Sequence, residues 1–257
     1  MFKIMRKAGI TLLLMLLLLS SQASAFKFAV VGDIQGGDDI LKAIISQINA
    51  QNDICFVVQT GDMCPQGTAG EFEHYSGLMK TIKVPVKRAC GNHDRGTDDG
   101  FFEKYVGKSY YSWDYEDCHF TIFDNSRDLL DEVQLQWLKK DLAGSKAGHK
   151  YVFCHRPIYS PYSKHCMGDI NPRAGEQARQ LTDIFSQYKV TAVISGHIHA
   201  FREEDAYKGV KYYVTGGAGA RLYHIRYYNA VHHYLIVDTR SGEVKMIKIE
   251  PPGNSGT

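Results

Sequence analysis

Residues 190–199 read VTAVISGHIH, an apolar run rich in β-branched residues that ends on a glycine and two histidines, His197 and His199. Val, Thr and Ile in such a run predict a strand. An apolar strand without polar alternation is one buried on both faces, as in α/β sheets covered by helices. Four other apolar runs end in the same manner. FKFAVVGDIQ (26–35) closes on Asp33 and Gln35, and DICFVVQTGD (53–62) on Asp62. VPVKRACGNHD (84–94) closes on Asn92, His93 and Asp94, and KYVFCHRP (150–157) brings His155. One Gly-Asp at a strand end is an ordinary turn. Five polar clusters at the carboxyl ends of five strands are a site, because ligands of open α/β sheets bind at that edge.

The residue types choose the ligand. Asp, Asn, Gln and His supply oxygen and imidazole donors suited to divalent Mn, Fe, Zn or Mg. Residues i and i+2 of an extended chain point to the same side about 7 Å apart. On that spacing His197 and His199 are expected to straddle two ions about 3.5–4 Å apart. The glycines before the ligands let the backbone turn and approach closely.

Between these strands the 3.6-residue period returns. DDILKAIISQINAQ (38–51) places Leu41, Ile44, Ile45 and Ile48 on one helical face, with Asp38 or Asp39 available as cap. Helices are also expected over 70–82, 131–142 and 176–188. SYYSWDYEDCHFTIFDN (109–125) reads as a hairpin turning at Glu116-Asp117, and three further strands follow at 210–219, 232–239 and 243–250. No repeat or linker divides the chain, which is expected to form one α/β domain over 26–250, followed by a disordered tail over 251–257.

The 257 residues carry 30 Lys+Arg and 28 Asp+Glu. Lys3, Arg6 and Lys7 precede AGITLLLMLLLL, and small residues Ala23 and Ala25 follow. This is the pattern of a secretory signal peptide cut after Ala25, with an apolar core shorter than the roughly 20 residues of a membrane span. The expected product is periplasmic or secreted, with no membrane span. Its balance of 27 basic against 28 acidic residues indicates no nucleic-acid partner. Oligomeric state stays open. Of six cysteines, Cys55, Cys90 and Cys154 read as buried thiols in strands, while Cys64 and Cys166 lie in loops and are the best pair for one bridge. No C-x-x-C pair exists for a zinc–thiolate cluster.

The set GDIQ, GD, GNHD, a lone His and GHIH resembles the calcineurin-like metallophosphoesterases, related to the purple acid phosphatases, whose pattern is D-x-H, G-D, G-N-H-[DE], His and G-H-x-H. The resemblance runs over nearly the whole chain after the leader. It implies a two-sheet β-sandwich flanked by helices, in four layers αββα, with two divalent metal ions (Mn, Fe, Zn or Mg) at one edge. It implies that Asp33, Gln35, Asp62 and His199 hold one ion, and that Asp62 shares the second with Asn92, His155 and His197. His93 matches the histidine that protonates the leaving oxygen, with Asp94 placed to orient it. Gln35 stands where the family usually has His, and Pro65 stands where the purple acid phosphatases have a ligating tyrosine.

The implied activity is hydrolysis of a phosphate ester by in-line attack of a hydroxide shared between two ions. A phosphomonoesterase with a small phosphorylated substrate is the simplest form. A phosphodiesterase of cyclic nucleotides or nucleotide conjugates and a non-catalytic phosphate-binding protein are the alternatives. Arg156, His165, Arg202, Arg221 and His224 are candidate anion-binding residues, and Tyr162 and Tyr223 candidate stacking residues.

Overall fold

Strands with apolar side chains on both faces must be covered twice, and the architecture follows from that requirement. The computed structural model describes residues 25–96, 100–169 and 171–250. The expected leader therefore lies outside the described residues apart from Ala25, as does the expected tail. In strands β1 (Lys27–Val31) and β2 (Ile54–Gln59), Phe28, Val30, Phe56 and Val58 point to one side while Ala29, Val31 and Val57 point to the other. In β6 (His149–Cys154), Tyr151 and Phe153 oppose Val152 and Cys154 in the same alternation.

Two mixed sheets result. The first has the order β11-β10-β1-β2-β3, with β3 at Val86–Arg88, β10 at His233–Asp238 and β11 at Glu243–Lys248. The second has the order β4-β5-β6-β7-β9-β8, with β4 at Tyr111–Tyr115, β5 at Cys118–Ile122, β7 at Ala192–Ser195, β8 at Phe201–Tyr207 and β9 at Val210–Thr215. Strands β1, β2 and β3 run parallel, as do β5, β6, β7 and β9, so their carboxyl ends share one edge.

Helices α1 (Asp38–Asn49) and α2 (Ala69–Met79) cover the first sheet through Leu41, Ile44, Ile48, Phe72 and Met79. Helices α4 (Glu132–Gly144) and α5 (Pro172–Gln187) cover the second through Leu135, Leu138, Leu181 and Phe185. The short α3 (Gly100–Tyr105) adds Phe102 to the first cover. The layers are αββα, as the family resemblance implied, and among the described residues no helix is long and apolar enough to cross a membrane.

Three local expectations change. Neither Asp38 nor Asp39 caps α1: Gly37 occupies the cap, and Asp38 Oδ2 instead faces His74 Nε2 of α2 at 2.6 Å. All six cysteines are free, so the Cys64–Cys166 bridge does not form. Cys64 packs in the core under α1 and α2, whereas Cys166 Sγ donates to the Ser163 carbonyl in the loop before α5. Cys55 is half-buried rather than enclosed. Strand β8, FREEDAY, was not expected; it is an edge strand bearing Glu203, Glu204 and Asp205, the kind of charge that blunts a sheet edge.

The space between the sheets is filled by rings. Phe120 of β5 stacks on Trp113 and Tyr151 at 5.1 and 5.5 Å and meets Phe28 and Phe56 edge-on at 5.4 and 5.2 Å. Phe120→Ala should lower unfolding free energy by about 3–5 kcal/mol, read as a lower urea midpoint at unchanged slope.

Beside it, His119 is buried between two carboxylates, with Nδ1 2.6 Å from Asp114 and Nε2 3.0 Å from Asp141 of α4. Burial alone would lower its pKa, but the hydrogen bonds to Asp141 and Asp114 outweigh it and the net shift is upward. A raised folded-state pKa contributes stability that is full below the unfolded value of about 6.5 and is lost as pH rises through the folded value. His119→Gln should therefore lower Tm most at mildly acidic pH, with the deficit shrinking as pH rises above that range.

Candidate metal centre

The loops after β1, β2, β3, β6 and β7 bring Asp33, Asp62, Asn92, His155, His197 and His199 to one point. Asp33, Asp62, His155, His197 and His199 are all at least 94% removed from solvent. Their ligand atoms form two groups, each within 4.8 Å: Asp62, His155 and His197 in one, Asp33, Asp62 and His199 in the other. Asp62 belongs to both, and the two histidines of GHIH fall in different groups.

The backbone is bent to achieve this. Asp33, Gln35, Asp62 and His197 hold φ of 60°, 44°, 54° and 69°, in the left-handed region that non-glycine residues seldom occupy. His197 and His199 are thus not on an extended strand as the i, i+2 argument supposed. Strand β7 ends at Ser195, and the amides of Ile198 and Ala200 turn back onto the carbonyls of Gly196 and Ile198. The separation of the two rings comes from this tight turn. Gly91 and Gly196 have no alternative: a Cβ would run into Asp62 Oδ1 at the first and Asp33 Oδ2 at the second.

Hydrogen bonds fix which atoms face the centre. His155 Nδ1 is 3.0 Å from the Thr60 carbonyl, which can only accept, so Nδ1 carries the hydrogen and Nε2 turns inward. Around that Nε2 lie Asn92 Oδ1 at 3.0 Å, His197 Nδ1 at 3.1 Å and Asp62 Oδ1 at 3.3 Å. His199 Nδ1 likewise donates to the Arg221 carbonyl at 2.8 Å, leaving Nε2 3.5 Å from Asp33 Oδ1. Four converging lone-pair atoms about one point fit a cation, since a single proton satisfies only one contact between them. The donor set therefore fits divalent ions of the imidazole- and oxygen-binding kind.

Electrostatics agree. Burial pushes the Asp62 carboxyl up, but His155 and the His93 amide outweigh it and leave the group at about 2. Burial lowers His155, yet Asp62 and Asp33 raise it to about 9. Burial raises Asp33 above the ordinary range despite His199, and burial with the neighbouring His155 and Arg156 depresses His197. A cation entering the centre displaces protons from these groups.

Two assigned roles change. Gln35 turns its amide nitrogen, not its carbonyl oxygen, to Asp62 Oδ2 at 2.7 Å, with His199 Nε2 3.5 Å away. An N–H facing a carboxylate makes Gln35 a hydrogen-bond donor to the shared aspartate in this arrangement, where the sequence reading made it a ligand. Asp94 does not touch the His93 ring. Its buried carboxylate accepts from the amides of Met63, Cys64 and Gly91, tying the β2 and β3 loops together, and burial with nearby Asp62 lifts it to about 7. The Pro65 carbonyl orients His93 instead, accepting from Nδ1 at 2.6 Å.

Of the anion-binding candidates, Arg156 lies 3.2 Å from His197 Nε2 through Nη1, and His165 stacks on His197 at 4.1 Å. Arg221 and His224 line an open recess of about 600 Å³ with His165, Leu222, Tyr223 and Ile225. Arg202 stays outside, bonded to Glu204 and the Tyr227 carbonyl. Tyr223 stacks on His199 at 4.2 Å, a better place than its sequence alone suggested. Asn125, not anticipated, accepts from the amides of His155 and Arg156 at 3.0 Å and fixes the backbone that carries both side chains. Its position at the end of an apolar strand, FTIFDN, was the available signal.

With this geometry in view, the profile of calcineurin-like phosphoesterases matches residues 26–201. The chain belongs to that family. It is 24% identical over 151 residues to a probable cyclic nucleotide phosphodiesterase of Fibrobacter succinogenes, covering 53% of this chain and 59% of the relative. It is 32% identical over 88 residues to an Arabidopsis thaliana Fe(3+)-Zn(2+) purple acid phosphatase, covering 33% and 18%. This chain thus spans less than two thirds of either relative. Among solved structures, purple acid phosphatase from yellow lupin (Lupinus luteus) seeds superposes with a TM-score of 0.73 at 20% identity, over 88% of this chain and 52% of the other. That likeness is one of fold.

If the buried donors hold divalent ions, Mn or Zn should raise Tm, and Asp62→Ala should abolish the rise because it removes the carboxylate common to both groups. Thermal melts with and without chelator, together with elemental analysis, measure this.

Proposed function

We propose that the protein is a metal-dependent phosphoric ester hydrolase acting on phosphate monoesters at a two-ion centre. The observation that carries the reading is the pair of buried donor groups sharing Asp62, with the exposed His93 imidazole beside them. Asp33, Asp62 and His199 would hold one ion, and Asp62, Asn92, His155 and His197 the other. Divalent ions held there would supply Lewis acidity to activate water near neutral pH and to offset phosphoryl charge.

The chain's own residues do the rest. Asp62 Oδ1 accepts from the His93 amide at 2.9 Å, so the shared ligand also positions the loop that presents His93. With Nδ1–H held by the Pro65 carbonyl, Nε2 is the atom left to carry the proton handed to a departing alkoxide, the ring passing from imidazolium to imidazole as it does so. Arg156 and Arg221 bring guanidinium cations to the mouth for a dianionic monoester, although Arg156 and His165 both also face the Asp169 carboxylate. The same centre would serve a diester, and the Fibrobacter relative is named for one. The cationic mouth is what favours the monoester. The leader pattern over 1–25 supports export, which N-terminal sequencing of secreted protein tests: a start at Phe26 is expected.

His93→Ala should lower kcat on alkyl phosphates by about 10²–10⁴-fold while bound metal stays constant. The loss should shrink on aryl phosphates, whose leaving groups need little protonation. Equal losses on both would remove His93 from the acid role, and no hydrolysis by the metal-loaded parent would defeat the hydrolase reading.

A further inference from the structure

The loops that place His165 and Tyr223 over the donors continue outward and carry a second pair of rings. His165 and Tyr223 lie 6.1 Å apart, and Tyr162 and Tyr227, farther along the same two loops, lie 5.1 Å apart. The loops are tied beneath the rings. The buried Tyr228 hydroxyl donates to Glu204 Oε1 at 2.8 Å and so accepts from Ser160 Oγ, also at 2.8 Å.

The outer rings are held in place although they are exposed. The Tyr162 hydroxyl donates to Asp205 Oδ2 at 3.1 Å, and the Arg202 guanidinium packs on its ring at 4.1 Å. Arg202 Nη1 also donates to the Tyr227 carbonyl at 2.8 Å, and Arg226 lies over the Tyr227 ring at 4.7 Å. Tyr227 has φ of 71°, a left-handed backbone that bulky side chains avoid, and its ring remains 55% exposed. Arg202 holds this backbone through the Tyr227 carbonyl, and the ring stays open to contact.

We propose that the Tyr227 ring, backed by Tyr162, is an outer subsite that stacks the base of a nucleotide whose phosphate reaches the metal centre, making nucleoside monophosphates the substrate class. The subsite rests on the hydrolase reading for its phosphate end. An aryl phosphate carries its ring directly on the ester oxygen and would place it at the inner pair. A nucleotide inserts a ribose, which moves the flat base outward to the second pair. Stacking on tyrosine accepts every base, so no base preference is expected.

The test compares AMP with glycerol 3-phosphate, both of which release an alkyl alcohol. The parent should prefer AMP in kcat/KM by about tenfold or more, and Tyr227→Gly should cut that preference by at least about fivefold. Glycine adopts the left-handed backbone freely, so a Tm equal to or above that of the parent shows that the loss is one of binding. Tyr227→Phe keeps the ring and should keep the preference. An unchanged preference in Tyr227→Gly overturns the subsite. Adenosine, which has no phosphate, separates the two readings. Its binding by equilibrium dialysis should weaken in Tyr227→Gly even if neither ester is hydrolysed, a result that would sink the hydrolase reading alone. Adenosine binding that is absent, or indifferent to the substitution, overturns the subsite.

Discussion

Two carboxylates with no access to water, Asp33 and Asp62, are the constraint around which this molecule is arranged. Burying one unpaired charge costs several kcal/mol, and two side by side repel each other as well. Everything near them answers that cost. Three histidines turn nitrogen atoms inward, backbone amides of His93 and His197 point at the carboxylates, and glycines clear the space where a Cβ would collide. Left-handed backbone at four donor or near-donor positions is tolerated because the parallel strands behind them are locked from both sides. The rigid sandwich makes the strained loops affordable.

The elements with two-sided burial were the legible ones. FAVV, ICFVV and AVI are uninterrupted apolar cores inside FKFAVVGD, DICFVVQTGD and VTAVISGHIH, so both the strand and the donor just past its end can be read directly. Alternating strands such as EVKMIKIE were also legible, by their period, whereas the charged edge strand β8 was not. FREEDAY forms β8 because its neighbour β9 offers an open edge, and nothing within the seven residues announces that edge.

Roles set by contacts between loops were also hidden. The family resemblance placed Asp94 to orient the His93 ring. The 3₁₀ turn over His93–Arg95 instead directs its carboxylate inward to three amides, and Pro65 from another loop takes the ring. The Cys64–Cys166 pairing failed for a related reason: loop membership says nothing about distance. Gln35 was read by its position in a motif, whereas the direction of its amide is decided by the acceptor it meets, Asp62 Oδ2.

The six free thiols carry a consequence for maturation. Burial raises the pKa of Cys64, Cys90 and Cys154 far above the ordinary thiol range and puts Cys118 and Cys166 at about 12. The thiolate is the species that oxidants and disulfides attack, and at neutral pH these five side chains supply almost none of it. No cross-link has to form for the sandwich to close, and none of these five sulfurs invites one afterwards. In the folded domain burial thus shields these five thiols from thiolate chemistry.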